Sequence, residues 1–176
     1  MALQAGVGVL LVVVTGARLG MRPPRLWTGV RTGSAAGAVA ASAIAATTLL
    51  PPVRASMATR EVPASAPGWL LVRIPVGTVW AEEAAFRAAL AGAASRAFGP
   101  SRGNVVQAAA FGLFHIADAR STGEPVLPTV LVTGVAGWLF GWLAERSGSL
   151  VAPMLAHLAI NEAGAVAALR AQRPRR

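Results

Sequence analysis

Six apolar runs, near residues 2–17, 33–50, 68–97, 104–119, 129–146 and 150–169, take up most of this 176-residue chain. A segment that enters hydrocarbon must satisfy its backbone polar groups within itself, so runs of this kind predict helices rather than open sheet. With 55% hydrophobic and 13% charged residues, the expected fold is an all-α, polytopic transmembrane helix bundle of about six helices. The first, second and fourth runs fall short of the ~20 residues of a perpendicular span and are expected to tilt, to cross only partly or to extend into their flanks. The third, about 30 residues, would reach roughly 45 Å as one straight helix, well past a ~30 Å hydrocarbon core. Pro75 followed by Gly77 predicts a break there, with a new helical stretch carrying Glu82, Glu83 and Arg87 just beyond it.

Turn signals separate the runs: Arg22-Pro23-Pro24-Arg25, Pro51-Pro52, and Ser121-Thr122-Gly123-Glu124-Pro125. Residues 51–67 form the longest polar connection and read as the one place for a flexible linker. The expected division is therefore 1–66 as N-terminal helices and linker, 67–170 as a helical core, and 171–176 as a basic tail.

The net charge of +9 comes entirely from arginine. Most of the arginines lie between or after apolar runs, where they mark the cytoplasmic side of a membrane, so nucleic acid is not an expected partner. Arg18, Arg22, Arg25 and Arg31 argue for a cytoplasmic first loop, and Arg170, Arg173, Arg175 and Arg176 for a cytoplasmic C-terminus. Six full spans cannot place both there, so one run is expected to be partial, re-entrant or split. Cysteine is absent, which excludes disulfides, thiolate catalysis and sulfur-ligated metal sites. The first run has its basic residues after it rather than before it and reads as a retained helix, not a cleaved signal.

Against this background a few polar residues stand out, because ionisable groups at membrane depth are costly and persist where they have work to do. Glu83 and Arg87 share a helical face and can pair, leaving Glu82, about 100° away, free to point elsewhere. His115 and His157 are the chain's only imidazoles. His115 follows Phe111 by one turn, and His157 shares a face with Asn161, where an imidazole N–H and an amide can both donate to one oxygen. A free carboxylate, two histidines and an asparagine on three helices are the parts that activate water and stabilise a tetrahedral oxyanion. Asp118, Glu124 and Glu145 fall near helix ends, and Glu162 has no evident partner. The five tryptophans suit interfaces or packing.

Three segments of this set, Glu82-Glu83-Ala84-Ala85-Phe86-Arg87, Phe111-Gly112-Leu113-Phe114-His115 and His157-Leu158-Ala159-Ile160-Asn161, resemble the EExxxR, FxxxH and HxxxN/D motifs of the CAAX prenyl protease and bacteriocin-processing family of intramembrane glutamic endopeptidases. The resemblance covers roughly residues 68–169, and Ala88 stands where members often have glycine. It implies that Glu82 with His115 activates a water against a peptide carbonyl, that His157 and Asn161 stabilise the oxyanion, and that Glu83 and Arg87 hold the motif helix. Phe111 is a supporting residue on the same grounds. The implied protein is a multi-pass enzyme of a cell membrane, bacterial by composition, acting on a peptide or membrane-protein substrate in the lipid bilayer without a cofactor. Two histidines and a glutamate are also the ligand set of many hydrolytic zinc sites, so a zinc-dependent membrane peptidase is one alternative. A non-catalytic immunity or partner-binding membrane protein is the other.

Overall fold

The computed structural model describes residues 2–172; Arg173, Arg175 and Arg176, and with them most of the expected basic tail, lie outside the described residues. Among the described residues the fold is all helical: α1 (Ala2–Thr15), α2 (Arg25–Thr47), α3 (Pro51–Thr59), a long leg over residues 66–98, α6 (Pro100–Phe114), α7 (Ile116–Thr122), α8 (Val126–Ser147) and α9 (Val151–Ala171). The long leg comprises a short α4 (Ala66–Gly68), a π-helix π1 (Trp69–Trp80), a second π-helix π2 (Glu83–Leu90) and α5 (Ala91–Phe98). Each apolar run lies on a helix. α8 and α9 are each long and apolar enough to cross a membrane, and α2 with α3 makes up to three such spans if that bent pair counts as one. Leu127, Leu131, Val132 and Val135 on α8, like Leu3, Leu10 and Val13 on α1, stay exposed and give the bundle an apolar exterior suited to lipid.

Two expectations about proline need correction. Pro51 and Pro52 do stop α2, and the chain bends by 98° there. They also start α3, because proline at the first helical positions gives up an N–H that has no intrahelical partner anyway. The stretch expected as a flexible linker is therefore half helix. Pro75 does not break the long leg. It sits inside π1, and the change of helical register falls instead at Ala81 and Glu82, immediately before π2. In the wider i→i+5 turn the missing proline N–H is absorbed by a change of bonding pattern, and more residues fit into each turn, which shortens a run too long for a straight α-helix.

Close contacts give the direction of each leg. Trp80 Nε1–H donates to the Ala5 carbonyl at 3.3 Å, and Gly8 faces Ala84, so α1 runs alongside the long leg in the same direction. Gly29 faces Ser149, Gly33 faces Ala152 and Gly37 faces Ala159, so α2 runs parallel to α9. A Cβ at Gly33 would come within 2.5 Å of the Ala152 carbonyl oxygen, so only glycine lets the two backbones approach this closely. α6 runs antiparallel to α8, with Gly112 against Val130 and Asn104 against Gly141.

These directions put the loop holding Arg18 and Arg22, tied by the Leu150 N–H to the Leu19 carbonyl at 2.8 Å, at the end of the bundle opposite Arg170. Arg18 and Arg22 thus lie at one end and Arg170, the described member of the C-terminal arginine group, at the other, although the charge pattern assigned both to one side.

Candidate active site

The site forms where the start of π2, the end of α6 and the middle of α9 meet. On π2, Glu83 and Arg87 are both fully buried, and Glu83 Oε1 lies 3.3 Å from a guanidinium nitrogen of Arg87. The spacing predicts this pair. The guanidinium makes no hydrogen bond among the described residues. It is held by charge on one side and by ring faces on the other, 4.0 Å above the Phe111 centroid and 5.0 Å above that of Phe140. Cation–π contact is strongest in such desolvated settings.

The same Glu83 Oε1 takes a second partner, His157 Nδ1, at 2.7 Å. A carboxylate only accepts, so Nδ1 carries the proton and Glu83 fixes the tautomer and the plane of the ring. Phe140 stacks on that ring, with centroids 5.0 Å apart and planes 24° apart. The other nitrogen, Nε2, is thereby turned toward Glu82, whose Oε2 lies 3.8 Å away. That separation is beyond a direct hydrogen bond. Glu82 Oε2 is buried and has no hydrogen-bond partner among the described residues. His157 thus stands between the two glutamates, held by one and facing the other.

His115 ends α6, where its ring packs edge-on against Phe111 at 4.7 Å between centroids. Its Nδ1 lies 2.7 Å from the Phe111 carbonyl oxygen. A carbonyl also only accepts, so Nδ1–H donates and the lone pair is on Nε2. Glu82 lies within electrostatic reach of both His115 and His157. Phe111 is the hub, touching Phe86, His115, Phe140 and His157 through edge-on rings.

Asn161 follows His157 by one turn on α9. Its amide donates to the His157 carbonyl one turn back on α9 at 3.1 Å, so one of its two N–H groups is committed to its own helix. No three His, Asp or Glu side chains among the described residues converge as a metal-ligating group.

Phe140 has no sequence signature, being one apolar residue inside an apolar run; only the packing of α8 against α9 brings it onto His157. Phe86 lies within the first motif but was not singled out there. A second buried polar group was also missed. Gln107 is fully buried and donates to Asn104 Oδ1 at 2.6 Å and to the Gly137 carbonyl at 2.9 Å, while Asn104 donates to the Trp138 carbonyl at 3.2 Å. These amides clamp α6, which carries Phe111 and His115, to α8, which carries Phe140.

No curated protein and no solved structure matches the chain. A protein-family model does match, that of the type II CAAX prenyl endopeptidase Rce1-like family, over residues 64–163. The matched stretch covers more than half of the chain and contains every residue of the site just described. The chain belongs to the Rce1-like family and is a membrane endopeptidase of the CAAX-protease type.

Proposed function

We propose that the protein hydrolyses a peptide bond of a membrane-associated peptide or membrane protein with a glutamate-activated water, residues 67–170 forming the catalytic core and residues 1–66 bracing it. The observation that carries this reading is the position of His157, with Nδ1 on Glu83 and Nε2 facing Glu82. Glu82 accepts a proton from water, assisted by the Nε2 lone pair of His115. The resulting hydroxide attacks the peptide carbonyl carbon, forming a C–O bond and a tetrahedral oxyanion. With Nδ1–H committed to Glu83, His157 donates to that oxyanion from Nε2, which carries a second proton taken up from solvent before the attack and kept through the cycle. The second N–H of Asn161 is available for the same oxygen. Collapse breaks the C–N bond, and Glu82 returns the proton to the leaving amine. Glu83 then has a more specific task than bracing a helix: it orients His157, with Arg87 as its buried counter-charge.

The apolar exterior and the arginine-rich ends support a multi-pass location, and the arginine- and alanine-rich composition supports a bacterial plasma membrane. The decisive experiment compares wild type with Glu82→Gln on membrane-presented peptides in liposomes, with and without a chelator. The expected result is a loss of cleavage of at least about 100-fold in the variant, the scale of a general base, with thermal unfolding unchanged and no effect of chelator. Cleavage retained by Glu82→Gln would overturn the mechanism. Loss with chelator would move the chemistry to a metal.

A further inference from the structure

A cavity of about 580 Å³ lies between the C-terminal parts of α2 and α9, beneath α3. It is separate from the active site: Ala159, Ala163 and Val166, which line it, lie roughly half a turn around α9 from His157. Its volume falls within the range of ligand sites, roughly 300–1,000 Å³. Small side chains create the space, with Ala41 and Ala45 of α2 facing Ala159 and Ala163 of α9.

The polar lining is concentrated at one end. Arg54 of α3 and Arg170 of α9 both line the cavity, and neither forms an ion pair with a carboxylate among the described residues. Gln172 ties the two elements together there, donating to the Arg60 carbonyl at 2.7 Å and the Met57 carbonyl at 3.4 Å. α9 is apolar and long enough to cross a membrane, and α3 turns 98° away from α2 across its end. A helix lying across the end of a spanning helix sits at headgroup depth, where arginines meet lipid phosphates. Glu162 lines the cavity eight residues before Arg170, about 12 Å deeper along the helix. Its carboxylate opposes an anion at that depth and confines negative charge to the arginine end.

We infer that this cavity binds an anionic phospholipid, one acyl chain lying along the alanine walls and the phosphate resting on Arg54 and Arg170. Charge-assisted contacts from arginine to phosphate oxygens supply the headgroup preference. The inference stands on the membrane reading of the helices and is independent of the catalytic mechanism.

The test uses the full chain in a neutral detergent, titrated with phosphatidylglycerol, phosphatidylcholine or inorganic phosphate and followed by native mass spectrometry and thermal unfolding. Phosphatidylglycerol is expected to bind saturably and raise the unfolding temperature, phosphatidylcholine to bind at least about tenfold more weakly, and phosphate alone to have no effect. Arg54→Gln combined with Arg170→Gln should weaken phosphatidylglycerol about thirtyfold, taking each arginine near a lipid phosphate at its usual contribution. Ala163→Leu, which fills the apolar part, should weaken binding with both arginines in place. Equal affinity for the two lipids, an equal shift from phosphate alone, or full affinity in either variant would overturn the inference.

Discussion

Polar side chains are buried in two parts of this bundle, and the two parts solve the problem in different ways. At the start of π2 the buried groups are ionisable, and Glu83 pairs with Arg87 by charge and accepts from His157 across two helices. Between α6 and α8 the buried groups are neutral amides, and Asn104 and Gln107 spend their donors mainly on the Gly137 and Trp138 carbonyls. The first arrangement leaves an ionisable neighbour, Glu82, facing an imidazole nitrogen. The second leaves nothing titratable and joins two helices. Burial of polarity alone does not mark chemistry in a membrane bundle; what matters is whether the partners can exchange a proton.

The largest test of that contrast removes charge from the first cluster. Glu83→Gln leaves the Arg87 guanidinium buried among Phe111 and Phe140 without its counter-charge. Breaking one side of a buried pair costs about 3–5 kcal/mol, so a large fall in the unfolding temperature is expected. Peptide cleavage should fall at least about tenfold per folded molecule as His157 loses its carboxylate anchor. The double change Glu83→Gln with Arg87→Met removes both charges and should recover most of the stability, since replacing a buried pair by apolar groups is often neutral. Cleavage should not recover. If activity returned with stability, Glu83 would be a structural partner of Arg87 and not the residue that orients His157.

A middle-sized effect is expected from crowding the second cluster. Gly141 faces Asn104 and Gln107 so closely that an added Cβ would lie 2.6 Å from Gln107 Nε2. Gly141→Ala should therefore destabilise by about 1–3 kcal/mol, the usual cost of overpacking, while cleavage per folded molecule stays within about twofold. Thermal unfolding and single-turnover cleavage on the same preparation separate the two. A loss of activity larger than the loss of folded protein would mean that the α6–α8 clamp tunes His115 and is not merely a brace.

The difference between the clusters also explains what could be read without coordinates. Charged residues contrast sharply with an apolar background, so Glu82, Glu83, Arg87, His115 and His157 could be singled out and their helical pairing written down. Asn104 and Gln107 carry a similar but weaker signal, two amides three residues apart inside an apolar run, because without charge they contrast less with their background. Gly29, Gly33 and Gly37 repeat every four residues, a pattern that fixes α2 against α9 and was visible in the sequence. The tie between Glu83 and His157 had no such signature, because it depends on how π2 and α9 approach each other across 74 residues of chain. Nor did the π register, which is a matter of backbone bonding rather than side-chain pattern.

The smallest effect should come from Gln107→Leu. The change removes two donated hydrogen bonds but also removes Gln107 Oε1, a buried acceptor that has no partner among the described residues. Leucine has a comparable volume, so no large cavity opens. Hydrogen bonds between membrane helices average about 0.6 kcal/mol, because the separated helices find other partners, and a net cost of about 1 kcal/mol or less is expected. The Gly137 carbonyl is already bonded within α8, so losing the Gln107 amide leaves it in an ordinary helical state; Asn104 keeps its donation to the Trp138 carbonyl, and only its Oδ1 loses a donor. Arg87 has no such fallback once Glu83 is gone. A thermal unfolding shift for Gln107→Leu as large as that for Glu83→Gln would erase the distinction between the neutral clamp and the charged site. A shift several times smaller, with cleavage intact, would mark the polarity between α6 and α8 as scaffold and that around His157 as machinery.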